Sequence, residues 1–102
     1  MHTYLVVRRS AWLSEQAQHE ADARSSAEAA RMTDEIACIH SYVLEECDRT
    51  LGSFCVVEAS SPEAVRRHAA AAGLPVDEIV RVADTIVGDP DRPHSRPERG
   101  DG

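Results

Sequence analysis

The sequence predicts one small α+β domain with the element order β-α-β-β-α-β. Two segments rich in helix-forming residues are each flanked by short β-branched or aromatic runs. The loop between the two middle runs is too short for a crossover, so those two strands are predicted to be antiparallel. A chain of 102 residues has room for one such domain and no more.

The first half of the chain predicts a strand and then a helix. The β-branched and aromatic run Tyr4–Val7 predicts a first strand over residues 3–8. Residues 12–32 are rich in Ala, Glu, Gln and Arg without Gly or Pro, which predicts a helix capped by Ser10 or Ser14. Alanines carry most of its apolar stripe, so the sequence predicts the helix but not its buried face.

A hairpin is predicted in the middle of the chain. Residues 36–44 are apolar and strand-like, and residues 54–58 form a second apolar run. The charged residues and Gly52 between them predict a loop over residues 45–53.

The second helix has both of its ends encoded in the sequence. Ser60 or Ser61 can cap it, and Pro62 suits its first turn. Gly73 suits the left-handed residue that ends a helix.

The alternating pattern of residues 79–87 predicts a last strand. From residue 88 onward the chain is rich in proline and charge, which predicts a disordered tail over 88–102. The predicted domain therefore covers residues 1–87.

Two strand-helix-strand halves joined by a hairpin make the ferredoxin-like fold, a four-stranded antiparallel sheet with two helices. Right-handed crossovers put both helices on one face of the sheet. The other face then carries apolar and aromatic residues without a cover. We expect a second copy of the chain to cover this helix-free face, which predicts a homodimer.

The net charge of the chain limits the classes of molecule that we expect it to bind. There are 18 acidic residues, 11 arginines and no lysine, which gives a formal net charge of −7. Such a surface repels nucleic-acid phosphates and anionic membranes, so neither is an expected partner. No segment approaches transmembrane length. Three cysteines without CxxC spacing, behind an N-terminus unlike a signal peptide, predict reduced thiols and a cytoplasmic location.

The alternation of side chains along the predicted hairpin indicates which residues could form a site. Ile39, Val43, Phe54 and Val56 are expected to pack against the helices, and Phe54 in particular to be deeply buried, because the chain has only four aromatic residues. The helix-free face then holds the following residues: Cys38, His40, Tyr42, Leu44, Cys55 and Val57. A one-residue change of register would instead bring Glu58 to the side of His40.

Imidazole and thiolate groups on one face suit nickel, zinc or copper. His40, Tyr42 and Cys55 are therefore candidate metal ligands, although the same groups could serve in acid–base chemistry or in dimer packing. The acidic run at residues 45–48 is more simply a solvated turn, and His68 a half-buried helix residue.

Four blocks of sequence resemble a small bacterial ferredoxin-like family whose described member is nickel-binding and nickel-responsive. They are residues 40–43, 54–59, 61–67 and 73–79. The resemblance covers about Tyr4 to Val82 and implies a dimer, with His40, Tyr42, Cys55 and Glu58 as candidate nickel ligands. The family usually has Glu where Val7 stands and Trp where Cys38 stands, and its hairpin loop is shorter.

Three classes of function follow. The first is a nickel-binding or metal-responsive dimer, which the resemblance favours. The second is a cofactor-free enzyme with His40 and Tyr42 as acid–base or orienting groups. The third is an interaction module without a small ligand. A pocket beside His40 would favour the enzyme, and convergent ligands would favour the metal.

Overall fold

The computed structural model describes residues 1–88, so the predicted tail lies outside the described residues except for Gly88. Two helices and four strands follow one another in the predicted order: β1 His2–Trp12, α1 Glu15–Arg31, β2 Ile36–Glu45, β3 Leu51–Ala59, α2 Pro62–Ala72 and β4 Glu78–Arg81. The sheet has the order β2-β3-β1-β4, and every neighbouring pair is antiparallel. The predicted ferredoxin-like fold is confirmed.

Both helices begin at a serine cap. The Ser14 hydroxyl accepts a hydrogen bond from the Ala17 amide, and the Ser61 hydroxyl accepts one from the Ala64 amide. Of the alternatives left open by the sequence, Ser14 and Ser61 are thus the caps. Gly73 ends α2 with a φ of 69°, the left-handed conformation that glycine adopts without strain.

The hydrophobic core lies between the sheet and α2. Its buried residues come from all three long strands and from α2: Tyr4, Val6, Ile36, Val57, Ala59, Ala64 and Val65. Helix α1 contacts α2 more extensively than it contacts the sheet. The buried His68 side chain hydrogen-bonds the Ser25 carbonyl across the two helices at 2.9 Å. Helix α1 is therefore held mainly by α2, which leaves space between α1 and the sheet.

Two strand boundaries differ from the sequence prediction. Strand β1 runs on to Trp12 through an irregularity after Arg8, so it is longer than the predicted strand over 3–8. Strand β4 ends at Arg81, although the alternation of residues 79–87 predicted a longer strand. Only Tyr4–Val7 of β1 pair with β4, and an alternating pattern forms no ladder where a neighbouring strand is missing. Ile86 is consequently 89% exposed.

The predicted faces of the hairpin are wrong in part, because β2 contains a bulge at Ile39. Cys38 pairs with Val57, whereas His40 pairs with Val56, so one extra residue lies in β2. Val57 is buried with the helices above it. Cys38 and Cys55 therefore lie on the helix-covered face, while His40 stays on the helix-free face.

The packing predicted for four hairpin residues is corrected as well. Phe54 and Val56 lie beside Val7 and Leu5 of β1 on the helix-free face, and both are half-buried. Ile39 stands at the bulge and is exposed. Val43 faces the helix side as predicted, since it pairs with Ser53, but on the edge strand β2 it stays exposed. The aromatic residue in the core is Tyr4, which is only 3% exposed.

Candidate functional site

His40, Tyr42 and Glu58 lie on the helix-free face of the sheet. His40 and Tyr42 are alternate residues of β2, and their rings meet edge to face with centroids 5.2 Å apart. Glu58 pairs with Ala37 of β2, and it lies two residues along β3 from Val56, the partner of His40. This diagonal relation is within reach of long side chains. All three side chains are exposed.

The surface around these three residues is apolar. The helix-free face of β1, β3 and β4 carries the following aliphatic and aromatic side chains: Leu5, Val7, Phe54, Val56 and Val80. Tyr42 is 57% exposed and Val80 40% exposed. Polar donors at the edge of an apolar patch are typical of a surface that another protein covers.

A complete metal site does not form within one copy of the described chain. Residues 1–88 contain no group of three or more His, Cys, Asp or Glu side chains placed to hold one ion. On the β2 and β3 side of the helix-free face, the nearest candidate ligands are the His40 imidazole and the Glu58 carboxylate, with the Tyr42 phenol as a third polar group. Further ligands would have to come from a second copy or from solvent.

Cys55 is separated from this group by the sheet. Its sulfur accepts a hydrogen bond from the Ser41 hydroxyl at 3.0 Å and lies 3.5 Å from Nη1 of Arg8. Neighbouring protein atoms displace part of the water around Cys38, and this desolvation, followed by the nearby Cys55, raises the pKa of the Cys38 thiol. Cys38, Cys47 and Cys55 are all free thiols.

The two thiols on the helix-covered face line a cavity of about 440 Å³ between α1 and the sheet. Arg8, Ser41 and Ser53 line the same cavity. It lies on the opposite face from His40 and Tyr42. The cavity is therefore not the pocket beside His40 that a cofactor-free enzyme using those two residues would need.

The carboxylates of the acidic hairpin turn accept hydrogen bonds from other residues of the same chain. Glu46 accepts two hydrogen bonds from the Arg9 guanidinium, at 2.7 and 2.9 Å, and one from the Ser10 amide. These bonds, with that of Arg9 first, lower the pKa of the Glu46 carboxyl. Asp48 accepts from Ser10 and Thr50, so its carboxylate is also occupied. The turn consequently fastens β1 to the hairpin.

Sequence reasoning assigned no role to Arg8, which is buried in the cavity wall. The signal was present, since Arg8 continues the alternation of Tyr4 and Val6, the buried residues of β1. His68 also lines the cavity and is buried, more deeply than the predicted half-buried helix residue.

No helix in residues 1–88 is long and apolar enough to cross a membrane.

Solved structures of other proteins are similar to this chain. The crystal structure of SCO4226 from Streptomyces coelicolor A3(2) superposes with a TM-score of 0.65 at 21% identity, covering 82% of this chain and 99% of that one. SnoaB, a cofactor-independent oxygenase from Streptomyces nogalater, has a TM-score of 0.42 at 17% identity, covering 85% of this chain and 97% of its own. Rv0793 from Mycobacterium tuberculosis has a TM-score of 0.40 at 15% identity, covering 87% and 100%.

No curated protein sequence matches the chain. A family model described as "Nickel responsive protein SCO4226-like" matches residues 4–82, nearly the whole described domain. This range agrees with the resemblance found in the sequence from Tyr4 to Val82. The chain belongs to the SCO4226-like family of nickel responsive proteins.

Proposed function

We propose that this protein binds nickel as a homodimer, with His40 and Glu58 as ligands on the helix-free face of the sheet. The observation that carries the proposal is the bulge at Ile39, which puts His40 on the same face as Glu58. The family description, which names nickel responsiveness, supports the choice of metal.

The donor set fits a transition ion when two copies share it. An imidazole is a good ligand for nickel, and a carboxylate adds the negative charge that a divalent cation needs. Two copies related by a two-fold axis bring the same patch together, so each ligand is present twice. Two imidazoles and two carboxylates would then complete the metal site that one chain leaves incomplete.

Tyr42 has a supporting part in this proposal. Its ring holds the His40 ring edge to face, which restricts the imidazole before the metal arrives. Cys55, which the sequence also suggested as a ligand, is left out because it lies across the sheet with Ser41 and Arg8.

The helix-free face is also the proposed dimer interface. Its apolar side chains Leu5, Val7, Phe54 and Val56 are only half-buried within one copy, and Val80 is exposed. Bound nickel would supply a cross-link between copies, and that link would make dimer stability respond to the metal. The free thiols suit a reducing, cytoplasmic location for this dimer.

The test is a calorimetric titration of nickel chloride into protein purified without a histidine tag, at about pH 7.5, where free imidazole is neutral. We expect His40→Ala to weaken binding about tenfold or more, since loss of a ligand removes both a bond and its geometry. Glu58→Gln should also weaken it, because the amide keeps the shape and loses the charge.

The matched control is His19→Ala, which removes an exposed histidine of α1 away from the sheet. This variant should bind as the parent does. Binding should weaken as the solution is acidified, because only neutral imidazole ligates metal. Unchanged affinity in His40→Ala, or no binding by the parent, would show that the proposed site is wrong.

A further inference from the structure

Arg8 is a buried cation without a matching anion. The residue is 4% exposed, and no carboxylate in residues 1–88 forms a salt bridge with it. Its Nη1 reaches the Cys55 sulfur at 3.5 Å, and a thiol is a weak acceptor. Its Nε is buried and has no hydrogen-bond partner within the described part of the chain. Buried charges are costly unless they are paired, so this guanidinium needs an explanation.

The cavity beside Arg8 has the size and lining of a small-molecule site. Its volume of about 440 Å³ lies within the range of roughly 300–1,000 Å³ typical of such sites. Aliphatic side chains, among them Val57, Val65 and Leu74, make up much of the wall. The exposed edge-strand residues Ser41 and Val43 also line it, which places its mouth along β2.

We propose that this cavity binds a small organic acid, with the carboxylate at Arg8 and the apolar body between α1 and the sheet. Guanidinium and carboxylate form strong, charge-assisted hydrogen bonds. The Ser53 hydroxyl, also in the cavity wall, is a further donor for the carboxylate, whereas the Ser41 O–H already donates to the Cys55 sulfur.

A monoanion fits this site better than phosphate does. Arg8 is the one arginine in the cavity wall, and the Asp22 carboxylate on α1 also lines the cavity and repels a second negative charge. The largely apolar wall selects an acid with a hydrocarbon body. The site is independent of the proposed nickel ligands, since His40 and Glu58 lie across the sheet.

Octanoate is the probe, with 1-octanol as its uncharged counterpart and inorganic phosphate as the anion without an apolar body. Trp12 lines the cavity and is the only tryptophan of the chain, so its fluorescence reports binding there. In the full-length protein we expect saturable binding of octanoate, about tenfold or more tighter than 1-octanol, because the charge-assisted bonds are lost with the alcohol.

Two substitutions and one control variant test the geometry. Arg8→Met should bring the affinity for octanoate down to that for 1-octanol, and it should leave the melting temperature unchanged or raised, because an apolar side chain replaces an unpaired buried charge. Ala29→Phe places a ring in the cavity and should weaken octanoate binding. Ala23→Phe, the same change at an exposed residue of α1 outside the wall, should not.

Several results would overturn the proposal. They are equal affinity of the parent for octanoate and 1-octanol, phosphate binding as tightly as octanoate, no binding of octanoate, or equal effects of the two phenylalanine variants. If Arg8→Met does not fold, two other comparisons still test the proposal. They are octanoate against 1-octanol in the parent, and Ala29→Phe against Ala23→Phe.

Discussion

Shortening two adjacent valines of β3 tests which face of the sheet each one occupies. Val57→Ala removes two methyl groups from a residue that is 3% exposed in the core. Their transfer is worth about 1.6 kcal/mol at about 0.8 kcal/mol per buried carbon, and incomplete collapse adds to it. The cavity already borders Val57 on one side, so we expect a total loss of about 2 kcal/mol.

Val56→Ala makes the same chemical change on the helix-free face. Val56 is half-buried in one copy, so the monomer should lose only about 0.8 kcal/mol, half of the full transfer value. In the proposed dimer a second copy buries Val56 further. Its cost should therefore rise with protein concentration, whereas the cost of Val57→Ala should stay the same.

The assay is urea unfolding of the parent and both variants at two protein concentrations, one of which light scattering shows to be monomeric. The slope of free energy against urea should be unchanged, so that the midpoints report stability. If Val56→Ala costs the monomer as much as Val57→Ala does, the assignment of Val56 to the helix-free face is wrong. His40 and Glu58, which share a face with Val56, would then not lie on the proposed dimer interface on which the nickel proposal depends.

Three further predictions concern close packing, pH and the C-terminal residues. Gly52→Ala should cost about 2 kcal/mol in thermal unfolding, because the new Cβ would collide with the Arg8 carbonyl oxygen, whereas the control Gly88→Ala, with open space around it, should cost nothing. Glu46→Gln should flatten the loss of stability on acidification. The pKa of the Glu46 carboxyl is lowered in the folded state, so its ionised form adds to the stability of the protein above the ordinary carboxyl pKa range. This added stability is lost as the pH falls through and below that range. An unchanged dependence of stability on acid pH in Glu46→Gln would contradict this. Deleting residues 89–102 should leave the melting temperature within a few degrees, because their composition of proline and charge offers no core. A larger drop would show that these residues dock on the domain.

Local chemistry made the fold predictable. Helix α2 has its cap at Ser61, Pro62 in its first turn and Gly73 at its end, and each of these residues acts within a few positions of itself. The hairpin was predictable for a similar reason, since a short loop leaves only antiparallel pairing. The element order, and with it the ferredoxin-like fold, followed from such local signals.

The faces of the hairpin depended on long-range packing. Ile39 looks like any strand residue, and nothing in its neighbours shows that it forms a bulge that reverses the side of every residue before it. Phe54 was expected in the core on the ground of size alone, but the register turned it to the helix-free face and left Tyr4 as the buried aromatic residue.

The candidate sites divide in the same way. His40, Tyr42 and Glu58 were found from sequence, because a distinctive block of residues carries them. The cavity was not found, because it arises from the distance at which α2 holds α1 above the sheet. Arg8 could have been predicted from the sequence, because it is a charged residue at a position where the alternation of β1, continued from Val6, predicts a buried side chain.

Native mass spectrometry of the untagged protein with limiting nickel tests the central claim most directly. We predict that nickel appears on the dimer and not on the monomer, and that His40→Ala loses it while His19→Ala keeps it. Full nickel loading of the monomer would contradict a site shared between copies. Nickel retained on the His40→Ala dimer would contradict the assignment of His40 as a ligand.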